Sequence, residues 1–388
     1  MCNSRPTTPC LCPDPVFSRR MLAGLLGPVF MFSLQAHADP YELLVSVPVS
    51  VEYDSNPGLV STSAKGVWRT RVIPDLKLIR EAGADVWNAG LGLALEQSSD
   101  TRISANRQDP SLSLGWKRLN PKGELSLNAG YEQASSRTTE LTGSGLVGPD
   151  STRTAKTLLG TWSRTLSDRA SLSLDGNYRD YRYSGVGLTD YTTVGGGVTL
   201  NYAWNERVDP FVQLSATHYS PQGAGVSAAN LSSAVIGVKW QAGERLTWSF
   251  QGGANHTRGT GSGGTSSNGW QGDASLHFAG ERLDLSLDAG HTVSASGIGG
   301  FESANQFMGH CSYALNDKLL AGADLVVRDN QGAIPNGTRQ LSLWTTRELT
   351  PFWSLRLGYL YKQLDNHAAG NASGYVIGLT LTYTHPDF

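Results

Sequence analysis

Hydrophobic and polar residues alternate along most of the chain after residue 40. In the stretch 45–53 the odd positions hold valine or tyrosine, and the even positions hold Ser46, Pro48, Ser50 and Glu52. A period of two residues places all the apolar side chains on one face of a β-strand. The run ends in a turn-forming Asp-Ser-Asn-Pro sequence at 54–57. The pattern predicts a strand with one apolar and one polar face.

The same alternation recurs in segments of roughly 9–11 residues, the length of a tilted strand that spans a bilayer. Short breaks rich in Gly, Pro, Asn and Asp alternate with longer polar ones. The short breaks lie near 79–85, 119–123, 166–169, 205–209, 241–245, 279–282, 315–318 and 348–352, and the long ones near 54–66, 97–109, 133–153, 184–190, 219–231, 256–268, 294–304, 329–338 and 363–373.

Alternating short and long connections are typical of outer-membrane barrels, which have tight periplasmic turns and longer outside loops. A secreted sandwich or β-helix also alternates apolar and polar residues, but its connections need not alternate in length. We therefore predict an all-β fold, a closed antiparallel up-and-down transmembrane β-barrel of about 18 strands (16–18) with both ends in the periplasm.

The N-terminus reads as a targeting segment. Arg19 and Arg20 precede an apolar run at 21–34, and an Ala-His-Ala sequence at 36–38 follows it. This predicts a signal peptide at 1–38, followed by the barrel at 39–388. Only Cys311 remains after residue 38, so neither a disulfide framework nor a cysteine-based zinc site is expected.

Composition agrees with a strand-rich exported protein. The chain contains 45 glycines, and only 16% of its residues are charged. The formal net charge of −2 argues against a basic surface for nucleic acid, so we expect no nucleic-acid partner. After residue 38 no apolar run reaches the ~20 residues of a membrane helix.

The free-energy cost of a charged side chain in lipid predicts which face of the sheet contacts water. An Arg or Lys that faces lipid at mid-bilayer costs about 2–4 kcal/mol, so the charged face must line the lumen. A barrel of this size leaves an aqueous channel unless it is plugged. The predicted lumen-lining residues are Arg69, Arg71, Lys77, Arg356, Asp273, Asp284 and Asp288.

The signs of these charges are unevenly distributed around the predicted barrel. The bases at 69–77 lie on the second strand, and the acids at 273–288 lie on the twelfth and thirteenth, nearly opposite in a ring of eighteen. One hypothesis is a transverse field that orients hydrated solutes such as sugars. The alternative is that these charges only solvate a wet wall.

No motif predicts catalytic, cofactor-binding or metal-ligating residues. The sequence at 143–148 is a literal G-x-G-x-x-G, but it lies in a predicted outside loop without the strand–turn–helix context of a nucleotide site. The histidines are scattered without metal-ligand spacing, and no nucleophile elbow occurs. We expect no enzymatic activity and no cofactor.

One motif carries a resemblance to a known family. Glu52-Tyr53-Asp54-Ser55-Asn56-Pro57 is similar to the first-strand exit of the β-barrel porin-like family associated with exopolysaccharide synthesis and export. The architecture of about eighteen strands over 41–388 agrees with it. The resemblance implies an outer-membrane channel for a polysaccharide, working with a periplasmic polysaccharide-export partner. Phe388 matches the aromatic end that the outer-membrane assembly machinery recognises, although Pro386 interrupts the final residues.

Two classes of function remain open at this stage. The first is a channel in the bacterial outer membrane, surrounded by lipid, for a polysaccharide or another hydrophilic solute. The second is a non-conducting barrel that acts as a surface receptor, adhesin or scaffold. The connection at 133–153 is long enough to narrow the pore but is not expected to seal it.

Overall fold

A computed structural model describes residues 41–141, 144, 151–185, 187–223, 226–260, 266–332, 335–366 and 370–385. Nearly all of them lie in strands. The strands are β1 (Tyr41–Asp54), β2 (Val67–Val72), β3 (Asp75–Ala82), β4 (Asp85–Ser98), β5 (Arg107–Asn120), β6 (Gly123–Ser135), β7 (Thr152–Thr165), β8 (Ala170–Ser184), β9 (Tyr191–Tyr202), β10 (Val208–Pro221), β11 (Ala228–Gln241), β12 (Leu246–Thr260), β13 (Ser266–Ala279), β14 (Leu283–Ala295), β15 (Phe301–Asn316), β16 (Leu319–Asn330), β17 (Asn336–Thr350), β18 (Trp353–Asn366) and β19 (Gly370–His385). A single helical turn, α1 (Ser136–Thr139), follows β6.

The strands form one closed antiparallel sheet. Apart from β2 and β3, each strand pairs with its neighbours in sequence, and β1 pairs with β19 from Val45 opposite His385 to Asp54 opposite Val376. The ring has no open edge along this seam, which removes the unpaired N–H and C=O groups that a membrane cannot solvate. The closed up-and-down barrel predicted from the alternation is confirmed.

Strands β2 and β3 are two halves of one spanning strand. Both pair with β1 on one side and with β4 on the other. The break falls at Pro74, which has no N–H to give to the ladder. Pairing nevertheless continues through it, because Ile73 N donates to Pro48 O (3.0 Å) and Leu93 N donates to Pro74 O (3.1 Å). The described strands therefore make eighteen crossings, the number predicted.

The connections alternate in length as the sequence predicts. Tight turns such as 83–84 and 121–122 lie at one end of the barrel, and longer connections such as 55–66 and 99–106 lie at the other. We call the end with the longer connections the mouth. The connection between β12 and β13 is shorter than predicted, because these two strands extend to Thr260 and from Ser266.

The outward face of the sheet is apolar. Large hydrophobic side chains remain exposed on it, including Val51 (47%), Leu91 (54%) and Ile236 (68%). Exposed aromatic residues flank this belt near both ends. Trp87 packs on Trp116 toward the tight turns, and Tyr53 packs on Trp68 at the mouth. Such a belt with aromatic borders matches the hydrocarbon region of a bilayer and its two interfaces.

Two predictions fall outside the described residues: the signal peptide at 1–38 and the assembly signal at Phe388. No helix in the described part of the chain has the length and apolar character that a membrane crossing requires.

Candidate functional site

Contacts across the mouth identify the lumen face of the sheet. On β17, Asn336 donates its side-chain amide to Ser144 O in the connection after β6 (2.9 Å). On β10, the Tyr219 hydroxyl donates to Ser296 O in the connection after β14 (3.4 Å). Side chains that reach connections so far away around the ring must point into the barrel. Every residue that shares their face through the pairing register is therefore inward.

The register places all seven predicted lumen residues on this inward face. Their cross-strand partners are Glu52 for Arg69, Glu96 for Arg71, Gly90 for Lys77, Gln251 for Asp273, Ser312 for Asp284, Ser275 for Asp288 and Thr346 for Arg356. Their effect on a passing solute stays a prediction.

The arginines of β2 do not form a bare positive wall. Arg69 Nε lies 2.7 Å from Glu52 Oε1, and Arg69 Nη2 lies 2.9 Å from Asp54 Oδ2. Arg71 Nε lies 3.5 Å from Glu96 Oε2. Arg69 thus has two carboxylate partners at hydrogen-bonding distance and Arg71 has one ion-pair partner, so both charges are compensated locally. The positive half of the hypothetical transverse field is therefore weak.

The Asp54–Pro57 motif joins the two ends of the sheet at the mouth. Asp54 accepts a hydrogen bond from Lys362 Nζ on β18 (2.8 Å) in addition to the one from Arg69. Asn56 Nδ2 donates to Ser373 O on β19 (3.0 Å), and Pro57 is fully buried. The residues that carry the family resemblance thus hold the first strand to the last two.

A segment of the connection after β6 folds into the mouth. It consists of residues 136–141 and 144, and we call it the crossing segment. It starts at Ser135, whose side-chain hydroxyl accepts from Arg137 N (3.3 Å) and so caps α1. Ser136 and Glu140 are buried, although a connection of this kind ordinarily lies exposed on the surface.

Arg137 anchors the near end of the crossing segment. Its guanidinium donates to Glu96 Oε1 (2.7 Å), to Ser104 Oγ (2.8 Å) and to Ser135 Oγ (3.1 Å). Burial lowers the pKa of Arg137, and the nearby charge of Arg69 lowers it further, whereas Glu96 opposes the shift. The carboxylate of Glu96 on the inward face compensates the cost of burying this charge.

The far end of the crossing segment reaches the part of the wall formed by β17–β19. Leu141 joins a buried apolar cluster with Leu59, Leu364 and Ala372, which lie in the connection after β1 and on β18 and β19. Ser144 O accepts the amide of Asn336 on β17. Since these partners lie far around the ring from β6, the segment spans the mouth and narrows it.

A second group of side chains packs beside the crossing segment. Glu140 Oε1 accepts a hydrogen bond from the hydroxyl of Tyr183 (3.2 Å), and the ring of Tyr191 packs at a tilt against the rings of Tyr183 and Tyr219. On the other side of this group, Thr189 N donates to Gly297 O (2.6 Å) in the connection after β14. A cavity of about 160 Å³ remains between these residues, lined also by Arg153, Glu302 and Arg328. The mouth is therefore constricted from two sides.

Below the constriction, one sector of the inner wall is acidic. Strands β13–β15 contain no lysine or arginine, and Asp273, Asp284 and Asp288 lie on their inward face. On β16, Asp324 accepts from Trp344 Nε1 (2.8 Å) and lies 2.6 Å from His310 Nδ1. In the described structure no lysine or arginine forms an ion pair with Asp273, Asp284 or Asp288, and the inward Arg328 of β16 bonds to Gln306 and Asn330.

Arg356 borders the acidic sector from β18. Its guanidinium lies 4.2 Å from the centre of the Trp344 ring, a cation–π arrangement. The added Cβ of an alanine at Gly322 would come within 2.3 Å of Trp344, so the glycine makes room for the indole against the wall. Arg356 is thus held flat against the lumen surface.

The structure supplies no assembled catalytic or metal site among the described residues. No group of three or more potential metal ligands occurs there. His277 lies 3.1 Å from Ser286 Oγ but 3.8 Å from Asp284 Oδ2, which exceeds hydrogen-bonding distance. The G-x-G-x-x-G sequence at 143–148 falls outside the described residues apart from Ser144. Absence of enzymatic activity stays a prediction.

Sequence reasoning did not single out the crossing segment. The predicted site contained strand residues only, whereas Arg137, Glu140 and Leu141 make the contacts that narrow the mouth. The length of the 133–153 connection indicated that narrowing was possible. Only a Ser-Ser sequence before Arg137 indicated a helical cap there.

Comparisons with known proteins match the fold and not the sequence. No family model matches the chain, and neither does any curated protein sequence. Among solved structures, the outer membrane protein OpdK from Pseudomonas aeruginosa is similar with a TM-score of 0.51 and 10% identity, over 89% of this chain and 99% of that chain. OccK9 (OpdG) from Pseudomonas aeruginosa matches with a TM-score of 0.50 and 13% identity, over 89% and 98%.

OpdK from Pseudomonas aeruginosa has also been solved with vanillate, and that structure matches with a TM-score of 0.51 and 10% identity, over 89% of this chain and 98% of that chain. At such identities the likeness concerns the fold. A closed eighteen-strand barrel with an apolar outer belt defines the class of outer-membrane β-barrel proteins. This protein is located in the bacterial outer membrane.

Proposed function

We propose that the protein is a channel for hydrophilic solutes whose mouth is narrowed by the crossing segment. The observation that carries the proposal is the combination of a wide barrel, polar inside, with a segment held across one end by Arg137 and Leu141. Barrels of 16–18 strands enclose an aqueous channel. A segment inside the mouth then sets what can pass.

For the solute we propose a polysaccharide or another neutral, hydroxyl-rich molecule. The inward face offers hydroxyl and amide groups in long rows, for example Ser111, Ser113 and Asn128 on β5 and β6. Such groups can exchange hydrogen bonds with a sugar as they do with water. The acidic sector at β13–β16 disfavours anionic polymers. A periplasmic export partner that delivers the polymer to the tight-turn end is part of this proposal.

The test is the conductance of the purified protein in planar bilayers. We expect stepwise currents that neutral oligosaccharides block in a length-dependent manner. A variant with Leu141→Cys and Leu364→Cys, made in a Cys311→Ala background, fixes the crossing segment when the two thiols are linked. Linking should reduce the largest current steps, and reduction of the link should restore them.

Cysteines at Arg102 and Leu364 provide the matched control, since Arg102 lies in a different connection. Treatment of this pair should leave the current unchanged. The second candidate function, a non-conducting receptor, is favoured by the contacts that constrict the mouth from two sides. A barrel that stays silent after Arg137→Ala, with its fold intact, would contradict the channel and support the receptor.

A further inference from the structure

One sector of the lipid-facing surface carries a pattern that an apolar belt does not explain. Three histidine–asparagine pairs lie side by side across neighbouring strands near the mouth. His218 Nδ1 lies 2.7 Å from Asn230 Oδ1, His256 Nδ1 lies 2.7 Å from Asn268 Oδ1, and His291 Nδ1 lies 2.8 Å from Asn305 Oδ1.

The register places all three pairs on the outward face. His218 shares the face of Val212 and Leu214, and His291 shares the face of Leu287 and Ala289. Each histidine lies close to the mouth end of its strand. Outward aromatic residues at the mouth, such as Tyr53, Trp68 and Tyr375, lie on β1, β2 and β19, whereas β10–β15 place imidazole and amide groups there beside Trp270.

Each pair leaves donors free to face outward. Because an amide oxygen can only accept, Nδ1 of each histidine is the donor. The amide NH₂ of the asparagine remains available as a donor, and Nε2 of the histidine donates only when the ring is protonated. We name the set His218, Asn230, His256, Arg258, Asn268, His291 and Asn305 the rim patch. Asn230 lies directly opposite Arg258, which adds a permanent positive charge between the pairs.

The side chains on the outward face of β10–β15 that can be charged near neutral pH are basic. The described residues of β10–β15 include five acids, and all five have inward positions. They are Asp209, Asp273, Asp284, Asp288 and Glu302. The outward face of these strands therefore carries one arginine and three imidazoles with no carboxylate, and the neighbouring β16 places Asp329 opposite Asn305 at one edge of the patch. The part of the patch around His218, His256 and Arg258 is complementary to an anion.

An apolar groove runs from the rim patch toward the middle of the belt. Gly252 lies directly opposite Gly272 on the outward face, so two neighbouring positions lack side chains. The groove has a volume of about 1070 Å³, and its walls include Ile236, Phe250 and Trp270. His291 and Asn305 also line the groove, where His291 stacks on Trp270 at 4.3 Å.

We propose that the rim patch and this groove together bind one phosphorylated glycolipid of the outer leaflet. The phosphate oxygens accept hydrogen bonds from the asparagine amides, from Arg258 and from protonated histidine, all of which are donors suited to phosphate. The acyl chains lie along the groove beside Trp270. The mouth contacts the outer leaflet because the longer connections of such barrels face outside.

The experiment measures binding of bisphosphorylated lipid A, and of the same lipid without its phosphates, to the full folded barrel in detergent. For the unaltered protein we expect about tenfold tighter binding of the phosphorylated lipid, as several charge-assisted hydrogen bonds would give. In the rim variant, His218, His256, His291 and Arg258 are all replaced by Gln, and this preference should be lost.

A second variant tests the groove separately. Gly252→Leu fills it, and the added Cβ meets no atom within 4 Å, so the barrel should still fold. Binding of both lipids should weaken to the same extent. Gly176→Leu is its matched control, because Gly176 is also outward and equally open but lies on β8, away from the patch.

Replacement of the inward His277 and His310 by Gln is the control for the rim variant, and should leave lipid binding unchanged. The proposal is overturned if the unaltered protein shows no preference for the phosphorylated lipid, or if the rim and groove variants bind as tightly as their controls. It is also overturned if the rim variant instead changes the oligomeric mass, since a second copy would then occupy this face.

Discussion

At the scale of single residues, buried ion pairs dominate the mouth of the barrel. Asp54 is 1% exposed and holds two cations from strands on either side of the seam, Arg69 and Lys362. Away from water such a carboxylate is stabilised by these partners, and removal of its charge leaves Lys362 without its ion pair and Arg69 with Glu52 alone. The first-strand exit is therefore a point where one side chain affects the whole ring.

The first prediction concerns this carboxylate. Asp54→Asn should lower the free energy of unfolding by about 3–5 kcal/mol, because the charges of Arg69 and Lys362 remain buried without their shared partner. Thermal unfolding, followed by the change in gel migration that folded barrels show, measures the effect.

Asp365→Asn is the control for this substitution. Asp365 faces Arg339 across 3.6 Å at a much more exposed position, so its loss should cost no more than about 1 kcal/mol. Equal shifts for Asp54→Asn and Asp365→Asn would refute the structural role assigned to Asp54.

At the scale of elements, the important departure from a plain barrel is the crossing segment. Loops ordinarily run over the surface because buried backbone needs partners. The crossing segment is buried because Glu96 on β4 accepts a hydrogen bond from Arg137. At its far end it contacts Asn336 on β17 and Leu364 on β18.

The second prediction tests that anchoring. Arg137→Ala removes three hydrogen bonds and leaves Glu96 with Arg71 alone, so the near end of the crossing segment should detach. We expect larger single-channel currents in planar bilayers than for the unaltered protein. The exposed Arg102, which pairs only with Asp100 in the described structure, gives the control Arg102→Ala. Currents that do not differ between the two variants would show that the segment does not limit conduction.

Much of the element scale was open to sequence reasoning. Strand alternation is a local property, so the positions of 45–53 and of its successors followed from a period of two. Strand parity also gave the inward positions of Arg69 and Asp273 before any register was known. The break at Pro74 changed nothing in this reasoning, since parity continues through it.

The rest depends on contacts that no local pattern contains. The burial of Leu141 is decided by Leu364, which lies more than two hundred positions later in the chain. The neutralisation of Arg69 required knowing that Glu52 is its direct neighbour across the ladder and that Asp54 points to the same side. The three histidines looked scattered in sequence because their asparagine partners are brought to them only by the register.

At the scale of the whole molecule, the lumen is divided into sectors of different charge. The wall formed by β1, β2 and β4 carries paired charges of both signs, whereas β13–β15 carry inward carboxylates and no lysine or arginine. A solute that passes the constriction meets a wall with a negative potential on one side only. The resulting field arises from the acidic sector and not from two opposed walls.

The third prediction follows from this asymmetry. Replacing Asp273, Asp284 and Asp288 together by Asn should reduce the preference of the channel for potassium over chloride. The reversal potential in a salt gradient measures this, and we expect it to move toward zero. The outward Asp329 provides the control Asp329→Asn, which should leave the reversal potential unchanged. A triple variant that retains the ion selectivity of the unaltered protein would show that these three carboxylates do not determine it.

The seam between the first and last strands has a further consequence for how the protein is made. Asn56 bonds to Ser373, a partner 317 positions away, and Asp54 to Lys362, 308 positions away. Contacts between residues so far apart in sequence form late, because the chain loses the entropy of closing a long loop before these contacts stabilise it. A molecule interrupted before these residues leaves Asp54 and Arg69 facing an open edge. The motif at 54–57 therefore completes its hydrogen bonds only after the last two strands have joined the barrel.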